Sequence, residues 1–200
     1  MFAFRIGTCR IQVDFTCFAL LAFCCLFAGF TGSAFALWAA LLHEAAHIAA
    51  LFLFDAPPQS AILTALGCRI VPDREKPLAP AAVCLVSLAG PVCNLTLFAL
   101  LTLFEKGASF FAGANLALGC LHILPIEPLD GGLALRTALS VYLDPKKAAQ
   151  VTRILSVLLL LPLSILGFLV LLRTRYNFSL LALSLYFMLY LVLGRDYLPE

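Results

Sequence analysis

Three ionisable residues fall within five positions of an apolar stretch: His43, Glu44 and His47, in the run His43-Glu44-Ala45-Ala46-His47. On a helix, residues i and i+4 lie one above the other on one face. The two imidazoles can therefore hold one metal ion, and zinc is the ion this pattern suits. Glu44, beside them, is placed to take a proton from a water that such an ion has acidified. The flanking run Leu37–Phe54 is apolar and long enough to cross a bilayer. Ionisable side chains at that depth are costly and mark function. A catalytic zinc wants three protein ligands and one open position. The rest of the chain offers His122, Glu127 and Asp130, all within Leu121-His122-Ile123-Leu124-Pro125-Ile126-Glu127-Pro128-Leu129-Asp130-Gly131-Gly132.

The elements that must position these residues are membrane helices. The chain has 200 residues, 63% of them hydrophobic and only 12% charged, with a mean hydropathy of +1.04. Soluble domains carry about 25% charged residues, so this is an all-α polytopic membrane protein. A net charge of +2 gives no ground for nucleic-acid binding. Apolar runs predict six transmembrane helices, near Phe15–Phe30, Ala34–Phe54, Ala79–Phe104, Phe110–Leu124, Val151–Leu172 and Phe178–Leu193. Arg5 and Arg10 before the first run, with Ala34-Phe35-Ala36 after it, also fit a signal peptide. The second run follows so closely that a tight helical hairpin is the better reading. With the N-terminus inside, the cytoplasmic loops collect Arg5, Arg10, Arg69, Arg74, Lys76, Arg136, Lys146, Lys147, Arg153 and Arg195. The outer loops hold only Lys106, Arg173 and Arg175. This bias places both termini in the cytoplasm, and His47 about 10 Å of helix from the cytoplasmic end of its span. Of the eight cysteines, Cys17, Cys24, Cys25, Cys84, Cys93 and Cys120 sit in apolar runs, without metal-site spacing, and read as packing residues.

His-Glu-Ala-Ala-His in one span, joined to Pro125-x-x-Pro128-Leu129-Asp130-Gly131-Gly132, resembles the site-2 protease family of intramembrane zinc metalloproteases. Within that family the layout is similar to the sporulation stage IV factor FB group. Gly90-Pro91-Val92-Cys93-Asn94 resembles a further segment of the same family. The resemblance implies one zinc per chain, held by His43, His47 and Asp130, with Glu44 as general base. It implies a small membrane-associated β-hairpin or sheet near the active site. It implies a membrane-embedded or membrane-tethered protein substrate, such as a transcription-factor precursor, in the bacterial cytoplasmic membrane, with room for a regulatory membrane partner. Pro125 and Pro128 keep their segment out of helix, and Gly131 and Gly132 let the backbone turn or pack closely. The family pattern has Asn three residues before the first Pro, where this chain has His122. His122 can donate a hydrogen bond to substrate or to a developing oxyanion in its place; a fourth ligand and a structural histidine are the other readings. Asn94 joins His122 as a candidate for that role, although Asn94 and Asn115, inside spans, each also read as a helix–helix hydrogen bond. Leu133 stands where an Arg often follows the glycines, and Arg136 lies one turn on.

Ala61–Val71 is too short to span, and Gly67 suggests a turn. A protease that cuts a membrane segment must hold it extended, and an exposed strand edge can do so. Ile11, Val13 and Phe15 alternate with polar residues, which predicts a strand over Phe4–Phe15 joining the same sheet. Residues 1–200 read as one intramembrane protease domain without an appended PDZ or CBS domain. Two rivals belong to other classes: a catalytically inactive homologue acting as a binding partner, and a membrane protein that binds or transports metal. The spans are nearly bare of ionisable groups away from the motif, which counts against a transport path.

Overall fold

The computed structural model describes residues 2–6, 9–64, 67–71, 77–104 and 109–193. Arg74, Lys76, Lys106 and Arg195 of the charge count lie outside them. Two compact units divide the chain, Met1–Leu121 and His122–Glu200.

The first unit contains strands β1 (Phe2–Ile6), β2 (Cys9–Val13), β3 (Ser60–Thr64) and β4 (Gly67–Val71), and helices α1 (Phe15–Leu53), α2 (Pro80–Phe104) and most of α3 (Phe110–His122). The strands form one sheet in the order β1-β2-β3-β4. β1 and β2 are an antiparallel pair, as are β3 and β4. β2 runs parallel to β3, with Arg10 opposite Ser60 and Val13 opposite Leu63. Where the alternation predicts one N-terminal strand, there are two, and Phe15 belongs to the helix that follows. Asp14 accepts the Phe15 N–H at 2.7 Å and so caps that helix.

Over the two expected N-terminal spans, the structure has one continuous 39-residue helix, α1. Gly29, Gly32 and Ser33 weaken a helix without stopping it, and no proline interrupts the run. Yet α1 cannot be a straight rod. Straight, it would measure about 57 Å. Its ends are tied to one sheet, because Arg10 and Ser60 are paired neighbours. Even fully extended, the connecting residues allow about 47 Å between Phe15 and Leu53. The helix must bend, and Gly29, Gly32 and Ser33, near its midpoint, are the residue types at which helices bend.

The second unit holds α4 (Asp130–Ser140), α5 (Pro145–Thr174) and α6 (Ser179–Leu193). α4, a short helix between the Pro-rich stretch and the long α5, is an element the apolar runs do not predict. α5 begins six residues before its apolar run, at an Asp144-Pro145 start with the proline in the first turn. A Cβ on Gly167 of α5 would lie 2.6 Å from the Leu181 backbone nitrogen, so the backbones of α5 and α6 nearly touch there. The Arg153 guanidinium donates to the Leu191 carbonyl, closing the other end of the same helix pair.

Among the described residues, three helices are long and apolar enough to cross a membrane: Phe30–Leu53 of α1, α2 and α5. α3 and α6, of 13 and 15 residues, are apolar but shorter than the roughly 17 residues a crossing needs. Among the described residues, three helices thus meet the length of a span. Exposed Leu158, Ile165, Leu166 and Leu169 give α5 the apolar outer surface a lipid-embedded helix requires.

Candidate metal centre

In the first unit, α1 and α2 run antiparallel along a single line of contacts. Ala39 meets Asn94, His43 meets Asn94 and Gly90, and His47 meets Gly90 and Val86. Val86, Gly90 and Asn94 are spaced by four and share one face of α2, as His43 and His47 share one face of α1.

Both histidines are buried, with 2% and 6% of their surface exposed. His47 Nδ1 lies 2.7 Å from the Val86 carbonyl oxygen. A carbonyl only accepts, so this nitrogen carries the proton and donates it. His43 Nδ1 lies 2.6 Å from Asn94 Oδ1. The Asn94 amide is oriented by its other end: Nδ2 donates to the Ala39 carbonyl at 3.2 Å and to Asn115 Oδ1 at 2.8 Å. Asn94 therefore presents oxygen to His43, which donates from Nδ1. These tautomers follow from the hydrogen-bond partners. With Nδ1 donating, a neutral ring would keep its lone pair on Nε2, and the two Nε2 atoms are 3.1 Å apart. The rings meet edge to face, at 79° with centroids 4.7 Å apart, so both lone pairs aim into one small volume.

Two ring nitrogens 3.1 Å apart can share a proton or a cation. The opposite wall also suits an ion. A Cβ on Gly90 would stand 2.4 Å from His47 Nε2 and 2.7 Å from His43 Nε2, so the missing side chain leaves that volume clear. The pair is two buried imidazoles held from behind by hydrogen bonds, which is how zinc-binding histidines are oriented. Glu44, on the next position of α1, is half-buried.

In the second unit, Asp130 opens α4, where the helix N-terminus favours a carboxylate. His122 Nδ1 lies 2.7 Å from Asp130 Oδ2 and donates to it. The glycines that follow serve close packing rather than a turn. A Cβ on Gly131 would sit 2.2 Å from the Ile123 carbonyl oxygen, and one on Gly132 2.5 Å from that of Ile126. The first turn of α4 thus lies directly on the backbone of the Pro-rich segment. Glu127, the other acidic candidate, is engaged elsewhere. Its carboxylate is 3.6 Å from the Arg136 guanidinium, and its N–H donates to Ser156 Oγ at 2.9 Å. Arg136 is thus the partner of Glu127.

Each predicted site residue therefore has a definite place. His43, Glu44 and His47 lie on α1, and Asn94 sits behind His43 in full burial. His122 pairs with Asp130. Sequence reasoning missed the contact of Gly90 with both rings and the part of Asn115 in orienting Asn94. The four-residue spacing of Val86, Gly90 and Asn94 was the available signal for the first.

No family model matches the chain, and no curated protein does. Among solved structures it is similar to the Site-2 Protease from Methanocaldococcus jannaschii. The two are 18% identical, with a TM-score of 0.69 over 100% of this chain and 98% of that one. At that identity the likeness establishes the fold: this chain is folded as a site-2 protease is.

Proposed function

We propose that this protein is an intramembrane zinc endopeptidase of the site-2 protease type. The observation that carries the reading is the buried imidazole pair. Both Nδ1 atoms are committed as donors, and both Nε2 lone pairs face one volume that Gly90 leaves open.

His43 and His47 would hold the ion, with Asp130 as third ligand and one zinc per chain. Asp130 is preferred over Glu127 because Glu127 is paired with Arg136, and because the Leu129-Asp130-Gly131-Gly132 run matches the family motif. A zinc ion there supplies Lewis acidity, which acidifies water and polarises a peptide carbonyl. Glu44 accepts the proton from the attacking water and passes it to the departing amine. Asn94 holds the His43 ring in orientation and does not touch substrate, since it is fully buried behind that ring. His122 orients the Asp130 carboxylate through its Nδ1–H.

The substrate is a membrane-embedded or membrane-tethered protein, cut near the cytoplasmic side of the bilayer. β4 is an outer strand of the sheet, and its edge offers backbone groups to an extended segment. The motif resemblance supports a bacterial cytoplasmic membrane, a regulated cleavage linked to sporulation and a regulatory membrane partner. The charge bias supports cytoplasmic termini.

Elemental analysis of the detergent-purified chain tests the reading. About one zinc per chain, lost in His43→Ala and in Asp130→Ala, is the expected result for a three-ligand site. A parent without zinc, or zinc that ignores Asp130, overturns it.

A further inference from the structure

We propose that Asn115, on α3, is a positioning residue for the metal site. It locks the Asn94 amide in the orientation that keeps the His43 proton on Nδ1 and leaves Nε2 open to the ion. Its importance for metal binding rests on the zinc reading above; the tautomer it sets does not.

Asn94 and Asn115 are both fully buried. Asn115 Nδ2 donates to the Phe111 carbonyl, one turn back on its own helix, at 2.9 Å. That carbonyl can only accept, so Asn115 must turn its oxygen toward Asn94. Asn94 Nδ2 then donates to Asn115 Oδ1 at 2.8 Å and to the Ala39 carbonyl at 3.2 Å, and Asn94 Oδ1 faces His43 Nδ1 at 2.6 Å. The polarity of every bond in this line, from α3 through α2 to α1, is dictated by backbone carbonyls at Phe111 and Ala39.

Turning the Asn94 amide by half a revolution shows what Asn115 contributes. Asn94 Oδ1 would then face the Ala39 carbonyl and Asn115 Oδ1, three oxygens with no hydrogen among them. The Asn94 amino group would face His43 Nδ1 and force the ring proton onto Nε2. A protonated Nε2 cannot ligate. Remove Asn115, and only the longer bond to Ala39 opposes that turn. An asparagine that merely joined two helices would serve with either polarity. Here one polarity alone leaves a ligand.

The test needs no assumption about activity. Zinc-free protein labelled with ¹⁵N-histidine gives signals from the three histidines of the chain, and a His43→Gln sample identifies His43. The parent is expected to carry the His43 proton on Nδ1, and a proton on Nε2 overturns the proposal before any variant is made. In Asn115→Leu the proton is expected to move partly to Nε2, and zinc affinity, read by chelator competition, to fall about tenfold, the low end for residues behind a ligand. Asn115→Asp is expected to restore both. A carboxyl buried there stays protonated and again offers one acceptor to Asn94 and one donor to Phe111. Asn115→Leu with the parent's tautomer and affinity refutes the proposal, as does Asn115→Asp behaving like the leucine variant. A parent that binds no zinc, yet loses the Nδ1 tautomer in Asn115→Leu, refutes the zinc reading and leaves this assignment standing.

Discussion

Gly90→Ala is the substitution the structure predicts most sharply, because it adds one carbon where the two imidazole Nε2 atoms, the proposed ligands, converge. That carbon would lie 2.4 Å from His47 Nε2 and 2.7 Å from His43 Nε2. Ordinary contact begins at 3.4 Å, so His47 must retreat by about 1 Å and His43 by about 0.7 Å. Metal–ligand distances tolerate about 0.2 Å, so neither nitrogen can remain a ligand at its present place. His47 cannot retreat freely either, because its Nδ1–H is held by Val86, one turn below Gly90 on the same helix. The loss is expected to match removal of a ligand's orienting partner or worse, about 100-fold in zinc affinity. The backbone has no reason to object. Alanine is a better helix former than glycine by about 1 kcal/mol, which offsets part of the roughly 1–3 kcal/mol that crowding the two rings costs, so the zinc-free protein should melt only slightly lower than the parent. The paired measurement is zinc affinity by chelator competition and thermal unfolding of the zinc-free form. Gly113→Ala on α3, where an added Cβ meets nothing within 4 Å, is the control and should leave zinc binding intact. A Gly90→Ala protein that binds zinc as tightly as the parent would falsify the arrangement of the two rings.

Glu44→Gln should retain zinc but cut peptide cleavage by about 10²–10⁴-fold, the usual worth of a general base, as read by gel assay on a membrane-segment substrate; undiminished cleavage would remove Glu44 from the mechanism. Gly167→Ala should push α6 from α5, because the new carbon meets Leu181 backbone at 2.6 Å, at a cost of about 1–3 kcal/mol; an unchanged unfolding midpoint in detergent would contradict that close approach. Arg136→Ala, which removes a half-exposed partner of Glu127, should shift stability by less than about 1 kcal/mol and leave zinc content unchanged; zinc loss would mean that Glu127 belongs to the metal site.

The parts of this molecule that were legible in its sequence are those written locally. Two histidines at i and i+4 need only a helix to share a face, and α1 supplies it. Asp130 needs only a helix start, and Pro128 with the two glycines marks one. What was not legible depends on partners distant in the chain. The parallel pairing of β2 with β3 joins residues 50 apart across the whole of α1, and no periodicity within either strand encodes a neighbour that far away. The continuity of α1 was hidden for the opposite reason. Gly32 and Ser33 carry a turn signal, yet in a long apolar run such residues bend a helix without ending it. α4 escaped because its residues are amphipathic rather than apolar, and a search for spans passes over such a segment.

The orientation of the histidine pair joins these observations. Val86 and Asn94 hold the two rings from behind, each accepting the proton on a ring Nδ1. The Nε2 atoms then face each other at 3.1 Å, an orientation that would suit a shared cation. Turning either ring over would break its bond to α2, with the Val86 carbonyl or with the oriented Asn94 amide. The orientation of the imidazole pair is therefore set as much by α2 as by α1, which carries the two histidines.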